Sequence, residues 1–115
     1  MCVTIYHNPN CSKSRATLAL LKEHGIAPKI CEYLKTPPSA EQIADLLKML
    51  SLAPRDLIRR KETAYAEAGL DDQTLTGSQL ITAIHDNPIL LERPIVVSRK
   101  GAAIGRPPEN ILSIL

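Results

Sequence analysis

Tryptophan and phenylalanine are missing from this 115-residue chain, and three tyrosines make up its whole aromatic complement. Binders of single-stranded nucleic acid stack bases on aromatic platforms, so this composition argues against a nucleic-acid partner. The formal charge of +2 names no partner class, and the basic residues have to be read by position. No apolar run approaches the ~18 residues of a membrane span and no basic lead precedes Val3, so the expectation is a cytoplasmic protein without a membrane partner. Cysteine is also sparse. Cys2, Cys11 and Cys31 are an odd number at irregular spacing with no CxxC pair, which argues against a secreted disulfide framework and fits a reducing compartment. His7 and Cys11 alone do not supply four ligands, so neither a metal site nor a bound cofactor is expected.

What is present is ordinary globular material. An apolar share of 44% and a charged share of 23% suit one compact domain spanning residues 1–115. Val3 to Tyr6 alternates as a strand. A helix is predicted from about Ser12 to His24, with Ala16, Ala19, Leu20 and Leu21 as its apolar face and Gly25 as its stop. Pro28 to Tyr33 returns as a second strand, and a strand, helix and strand in this length make a parallel βαβ unit. Capping boxes at Ser39/Gln42 and Thr76/Gln79 open two helices, the first with Ile43, Leu46, Leu47 and Leu50 buried. Ala53 to Ile58 and Glu62 to Ala68 read as shorter ones. Residues 39–87 are thus helical, an insertion in or a lobe beside the sheet. Pro94 to Ser98 and Ala102 to Ile104 form a hairpin-like pair, and a last helix follows Arg106 with Ile111, Leu112 and Leu115 on its apolar side. The order βαβ, helices, ββα is α/β and matches a thioredoxin-like mixed sheet of about four strands with a central helical insertion.

The chemistry concentrates where the first strand runs into the first helix. Tyr6-His7-Asn8-Pro9-Asn10-Cys11-Ser12-Lys13-Ser14-Arg15 puts a thiol beside unpaired backbone N–H groups and the positive end of the helix dipole, both of which favour a thiolate. Free cysteines more often pack as small hydrophobes, but these neighbours are polar. Lys13 and Arg15 oppose the dipole at about 0.3–1 kcal/mol each, a violation expected where an anion offsets it. Ser14 stands where a CxxC motif would carry its second thiol. Cys2 lies about 13 Å before the strand tip at ~3.3 Å per residue, and Cys31 lies inside the second strand. A resolving thiol should therefore come from another molecule, and core packing is the expected role of Cys2 and Cys31. Taken singly, Arg59, Arg60, Arg93 and Arg106 read as solvated surface charges, and His85 and Asp86 as helix-end residues. A Cys-x5-Arg phosphatase loop is excluded, because Thr17 stands where Arg would be required.

Taken together, His7-Asn8-Pro9-x-Cys11-x-x-Ser14-Arg15, Leu57-Ile58-Arg59-Arg60-Lys61, His85-x-Asn87-Pro88-Ile89-Leu90-x-x-Arg93-Pro94-Ile95-Val96-Val97 and Gly105-Arg106-Pro107 resemble the glutaredoxin-linked arsenate reductase family through nearly the whole chain. The resemblance implies Cys11 as catalytic nucleophile and Arg59, Arg93 and Arg106 as oxyanion ligands, with Arg60 as the alternative to Arg59. It further implies that His7, Ser14 and Arg15 lower the cysteine pKa or shape the anion loop, and that Pro94 is a cis-proline. Arsenate is the implied substrate, glutathione the co-substrate and glutaredoxin the protein partner of a monomeric enzyme. Two other readings share the fold: an Spx-like regulatory or binding protein, and a glutathione-dependent thiol transferase with another substrate. The retained arginines favour the reductase, and Ser14 denies the CxxC natural to an Spx-like sensor.

Overall fold

The computed structural model describes residues 3–92 and 94–115. Its backbone contacts divide the chain into two compact units, Pro37–Glu92 on the one hand and the flanking segments 1–36 and 93–115 on the other.

The flanking unit holds a four-stranded sheet of β1 (Thr4–His7), β2 (Lys29–Glu32), β3 (Ile95–Ser98) and β4 (Gly101–Ile104), in the spatial order β2-β1-β3-β4. β1 and β2 are parallel, whereas β1 with β3 and β3 with β4 are antiparallel. The mixed sheet and its βαβ and ββα halves are as expected. Between β1 and β2 runs helix α1 (Ser12–Glu23), closed by Gly25 in the left-handed region at φ 73°, where a Cβ would be strained.

The inward face of α1 differs from the expectation. Ala16 and Ala19 are exposed, and the buried positions are Ser14, Thr17 and Leu21. Their spacing of three and four is helical, but two of the three carry hydroxyls that apolar periodicity overlooks. Leu21 packs with Val3, Ile5, Val96, Ile111 and Ile114, with Leu18, Leu20 and Ala103 around them. The last segment is a 3₁₀ helix over Pro108–Ile114. At three residues per turn its buried side chains are Ile111 and Ile114, while Leu112 turns outward at 41% exposed. Cys31 is only partly buried and Cys2 lies outside the described residues.

The second unit contains α2 (Ala40–Leu50), α3 (Thr63–Glu67) and α4 (Gly77–Asp86), with 3₁₀ turns at Pro54–Leu57 and Pro88–Leu90. Both capping boxes form: Ser39 Oγ accepts from Gln42 N–H and Gln42 Oε1 accepts from Ser39 N–H, and Thr76 and Gln79 repeat the exchange. Ile43, Leu46 and Leu47 are buried on α2, with Leu50 at the margin. The segment from Ala53 is a 3₁₀ turn, its entry held by Asp56 Oδ2 accepting from Ala53 N–H. Arg55 closes the loop after α3 by donating to Leu70 O at 2.7 Å and Asp72 O at 2.5 Å. No helix among the described residues is long and apolar enough to cross a membrane.

Leu21 is fully buried where α1 meets the sheet. Leu21→Ala is expected to lower unfolding free energy by about 2–5 kcal/mol through lost transfer energy and a residual cavity, read from urea midpoints at constant m-value.

Candidate functional site

Residues 8–11 connect β1 to α1 and are held by hydrogen bonds among themselves and with Ser14 and Arg15. Asn8 is buried at 8% exposed. Its N–H donates to Ser14 Oγ at 3.0 Å, its Oδ1 accepts from Asn10 N–H at 3.0 Å, and its carbonyl accepts from Cys11 N–H at 3.0 Å. Arg15 Nη1 donates to Pro9 O at 2.9 Å. An Asx turn therefore bends the chain after β1 and delivers Cys11 at the N-cap of α1.

Cys11 has extended backbone angles, φ −98° and ψ 123°, its side chain makes no capping hydrogen bond, and the first turn of α1 contains no acidic residue. The positive end of the helix thus has no carboxylate of its own to balance it. Arg106 Nη2 lies 3.9 Å from Cys11 Sγ, so a guanidinium faces the sulfur as well. Both charges favour the thiolate over the thiol.

Behind the loop, Ser14 Oγ and His7 Nδ1 are 2.6 Å apart, with Ser14 inaccessible to solvent and His7 6% exposed. Burial is the largest influence on His7 and holds it below the ordinary histidine pKa; Glu32 pulls the other way, while Arg15 and Lys22 add to the lowering. In the neutral tautomer with Nδ1 unprotonated, the ring accepts the Ser14 O–H hydrogen bond and the serine oxygen remains free to accept from Asn8 N–H.

Arg106 is brought to the thiol by Gly105. Its N–H donates to Pro94 O at 2.8 Å, and its carbonyl lies 3.5 Å from the buried Thr17 Oγ1, whose hydroxyl donates to Lys13 O at 2.8 Å. A Cβ at Gly105 would overlap Thr17 Oγ1 and come within 2.9 Å of Pro94 Cγ. The end of β4 thus lies directly on α1, and Asn110 Nδ2 holds Arg106 O at 2.9 Å from the far side. The described cis peptide is Arg106–Pro107. Arg93 and the Arg93–Pro94 bond expected to be cis lie outside the described residues. Arg59 belongs to the other unit, half-buried and within 3.1 Å of Glu62, whereas Arg60 is exposed.

Cys31 pairs in register with Tyr6, on the sheet face opposite that of Ile5, His7 and α1. Burial pushes its thiol up despite Lys29 and so favours the protonated form at neutral pH. Asn8, Thr17 and Gly105 were given no role from sequence. The first was legible as an Asx-Pro turn, but the other two depend on a contact between residues 88 positions apart.

The unfolded chain binds a proton at His7 with a pKa near 6.5, whereas the folded chain binds it only at lower pH. Stability from this group is complete above pH 6.5 and is expected to be lost as pH falls from there through the folded-state value. Urea midpoints measured between pH 7.5 and 5 should show this acid slope, and His7→Asn should remove it.

Residues 6–114 match the model of the ArsC family. The uncharacterized protein YfgD of Escherichia coli K12 is 54% identical over 98% of this chain and 96% of its own length. An arsenate reductase of Neisseria meningitidis serogroup A is 49% identical over 98% of this chain and 97% of its own. A solved structure of an arsenate reductase from Vibrio cholerae superposes with a TM-score of 0.97 at 50% identity, covering 100% of this chain and 98% of that one. A cysteine at the mouth of α1, a sheet ordered β2-β1-β3-β4 and a likeness that runs end to end converge on one assignment: the chain belongs to the ArsC family and has its thioredoxin-like fold.

Proposed function

We propose that the protein reduces arsenate to arsenite, with Cys11 as nucleophile and a thiol from outside the chain as reductant. The observation that carries this reading is Cys11 Sγ at the N-terminus of a helix whose first turn holds no acidic residue, with Arg106 Nη2 3.9 Å away. A thiolate approaching arsenate meets a substrate of its own charge sign. Guanidinium forks grip tetrahedral oxyanions bidentately and keep their charge at any physiological pH, so they both position the anion and stabilise charge on its oxygens. Arg59, Arg93 and Arg106 are assigned that task. His7, Ser14 and Arg15 are assigned the shape of the loop that presents Cys11.

In the first step the Cys11 thiolate forms an S–As bond while one arsenate hydroxyl takes up a proton from solvent and leaves as water. Glutathione thiolate then bonds to the Cys11 sulfur as the S–As bond breaks. The bonding pair goes to arsenic, which passes from As(V) to As(III) and departs as arsenite. Glutaredoxin exchanges with the resulting Cys11–glutathione disulfide and restores the thiol. An external reductant is favoured because Ser14 takes the local resolving position and Cys31 occupies the far face of the sheet with a raised pKa.

Purified protein supplied with arsenate, glutathione, glutaredoxin, glutathione reductase and NADPH should show arsenate-dependent NADPH loss; none would overturn the reading. Cys11→Ser is expected to abolish turnover and Arg106→Ala to lower it by ~10²–10³-fold, the scale of a lost oxyanion donor. Turnover by a Cys2→Ser/Cys31→Ser double variant should stay largely intact, and an inactive double variant would refute the external-thiol step.

A further inference from the structure

In the second unit, Arg59, assigned above to the oxyanion, is paired with Glu62, a residue that the reaction as drawn leaves unused. Arg59 Nη1 lies 3.1 Å from Glu62 Oε1, and the two side chains are only 21% and 24% exposed. That same Nη1 is buried and makes no hydrogen bond. The carboxylate neutralises the guanidinium by proximity but does not lie along an N–H direction, so the donor remains unsatisfied. Small adjustments of the backbone are restrained. Arg59 N–H donates to Leu90 O at 2.7 Å beside the Ile58–Leu91 bridge, Glu62 N–H donates to Arg59 O at 3.3 Å, and Glu62 O accepts from Tyr65 N–H at 3.0 Å at the start of α3.

We propose that Glu62 is a placeholder counter-ion, displaced from Arg59 by an incoming tetrahedral oxyanion, and that it thereby sets the affinity of the site for such anions. This rests on Arg59 being an oxyanion ligand. A half-buried guanidinium needs a negative neighbour between turnovers, since leaving it alone is costly. Glu62 meets that need without offering aligned hydrogen bonds. A tetrahedral oxyanion brings the same charge with oxygens spaced for the fork. The two anions cannot share Arg59 comfortably, because their repulsion is stronger in half-buried surroundings than in water. Each binding event therefore includes the loss of the Glu62 contact, and affinity is lower than Arg59 alone would give.

The test is the protection of Cys11 from iodoacetamide by arsenate and, separately, by inorganic phosphate, which reads anion binding without requiring reduction. Glu62→Gln is expected to lower the half-protecting concentration by roughly three- to tenfold, the scale of a half-buried ion pair. Arg59→Ala should raise it. If Arg59→Ala raises it but Glu62→Gln leaves it unchanged or raises it too, Glu62 serves to hold Arg59 in place and the placeholder role is overturned. If Arg59→Ala has no effect, the assignment of Arg59 as a ligand fails, and the proposal with it. Circular dichroism checks folding; should Glu62→Gln not fold, Glu62→Asp, which draws the charge back by one methylene, should shift protection in the same direction by less, and no shift would overturn the proposal.

Discussion

Ser14 Oγ against His7 Nδ1, 2.6 Å apart and shielded from water, is the contact from which the rest of the thiol loop takes its shape. It joins the last residue of β1 to the first turn of α1, so the residues between them must close a path of fixed span. The serine oxygen also receives Asn8 N–H, which turns the backbone at the point where the strand ends. Because both partners are desolvated, breaking the contact would leave buried polar atoms unmatched, a cost well above the net worth of one exposed hydrogen bond. The chain tolerates an imidazole in its interior because that imidazole is neutral.

A second junction meets the first from the opposite side. Gly105 lies against Thr17, one turn of α1 beyond Ser14, and the absence of a Cβ lets the end of β4 approach the helix backbone. Arg106 follows by one residue, and its Nη2 lies 3.9 Å from Cys11 Sγ. Both buried hydroxyl-bearing side chains of α1 thus lie against a backbone segment, Ser14 by hydrogen bonding to the segment that leads into the thiol and Thr17 by close packing on the one that carries the guanidinium. Leu21, a turn further on, anchors the helix to the apolar core. One helix face is graded along its length from site to core.

That gradient explains what the sequence disclosed and what it withheld. The strand and helix order was legible because β1 alternates in burial and because Ser39 with Gln42 and Thr76 with Gln79 announce helix starts in local chemistry. Cys11 stood out through its polar neighbours. The orientation of α1 was not legible, since a search for apolar periodicity selects Ala16 and Ala19 over Ser14 and Thr17, whose burial is possible only through partners in other segments. The final segment misled in a simpler way: Ile111, Leu112 and Leu115 suit an α-helical period, whereas Pro107 and Pro108 open a 3₁₀ helix that buries Ile111 and Ile114 instead. Among the arginines, sequence could not separate Arg59 from Arg60; the pairing of residues 57–59 with 90–92 leaves the first half-buried and the second in solvent.

The hydroxyl at position 14 also has a kinetic meaning. A thiol in its place could close a small ring with the neighbouring sulfur and expel whatever was bound there at a rate independent of surroundings. A buried hydroxyl has no such chemistry, so under the proposed external-thiol mechanism a capped Cys11 waits for a collision. Its lifetime then scales inversely with the abundance of the colliding species, which makes the redox condition of the surroundings, more than any motion of this loop, the clock for clearing the sulfur.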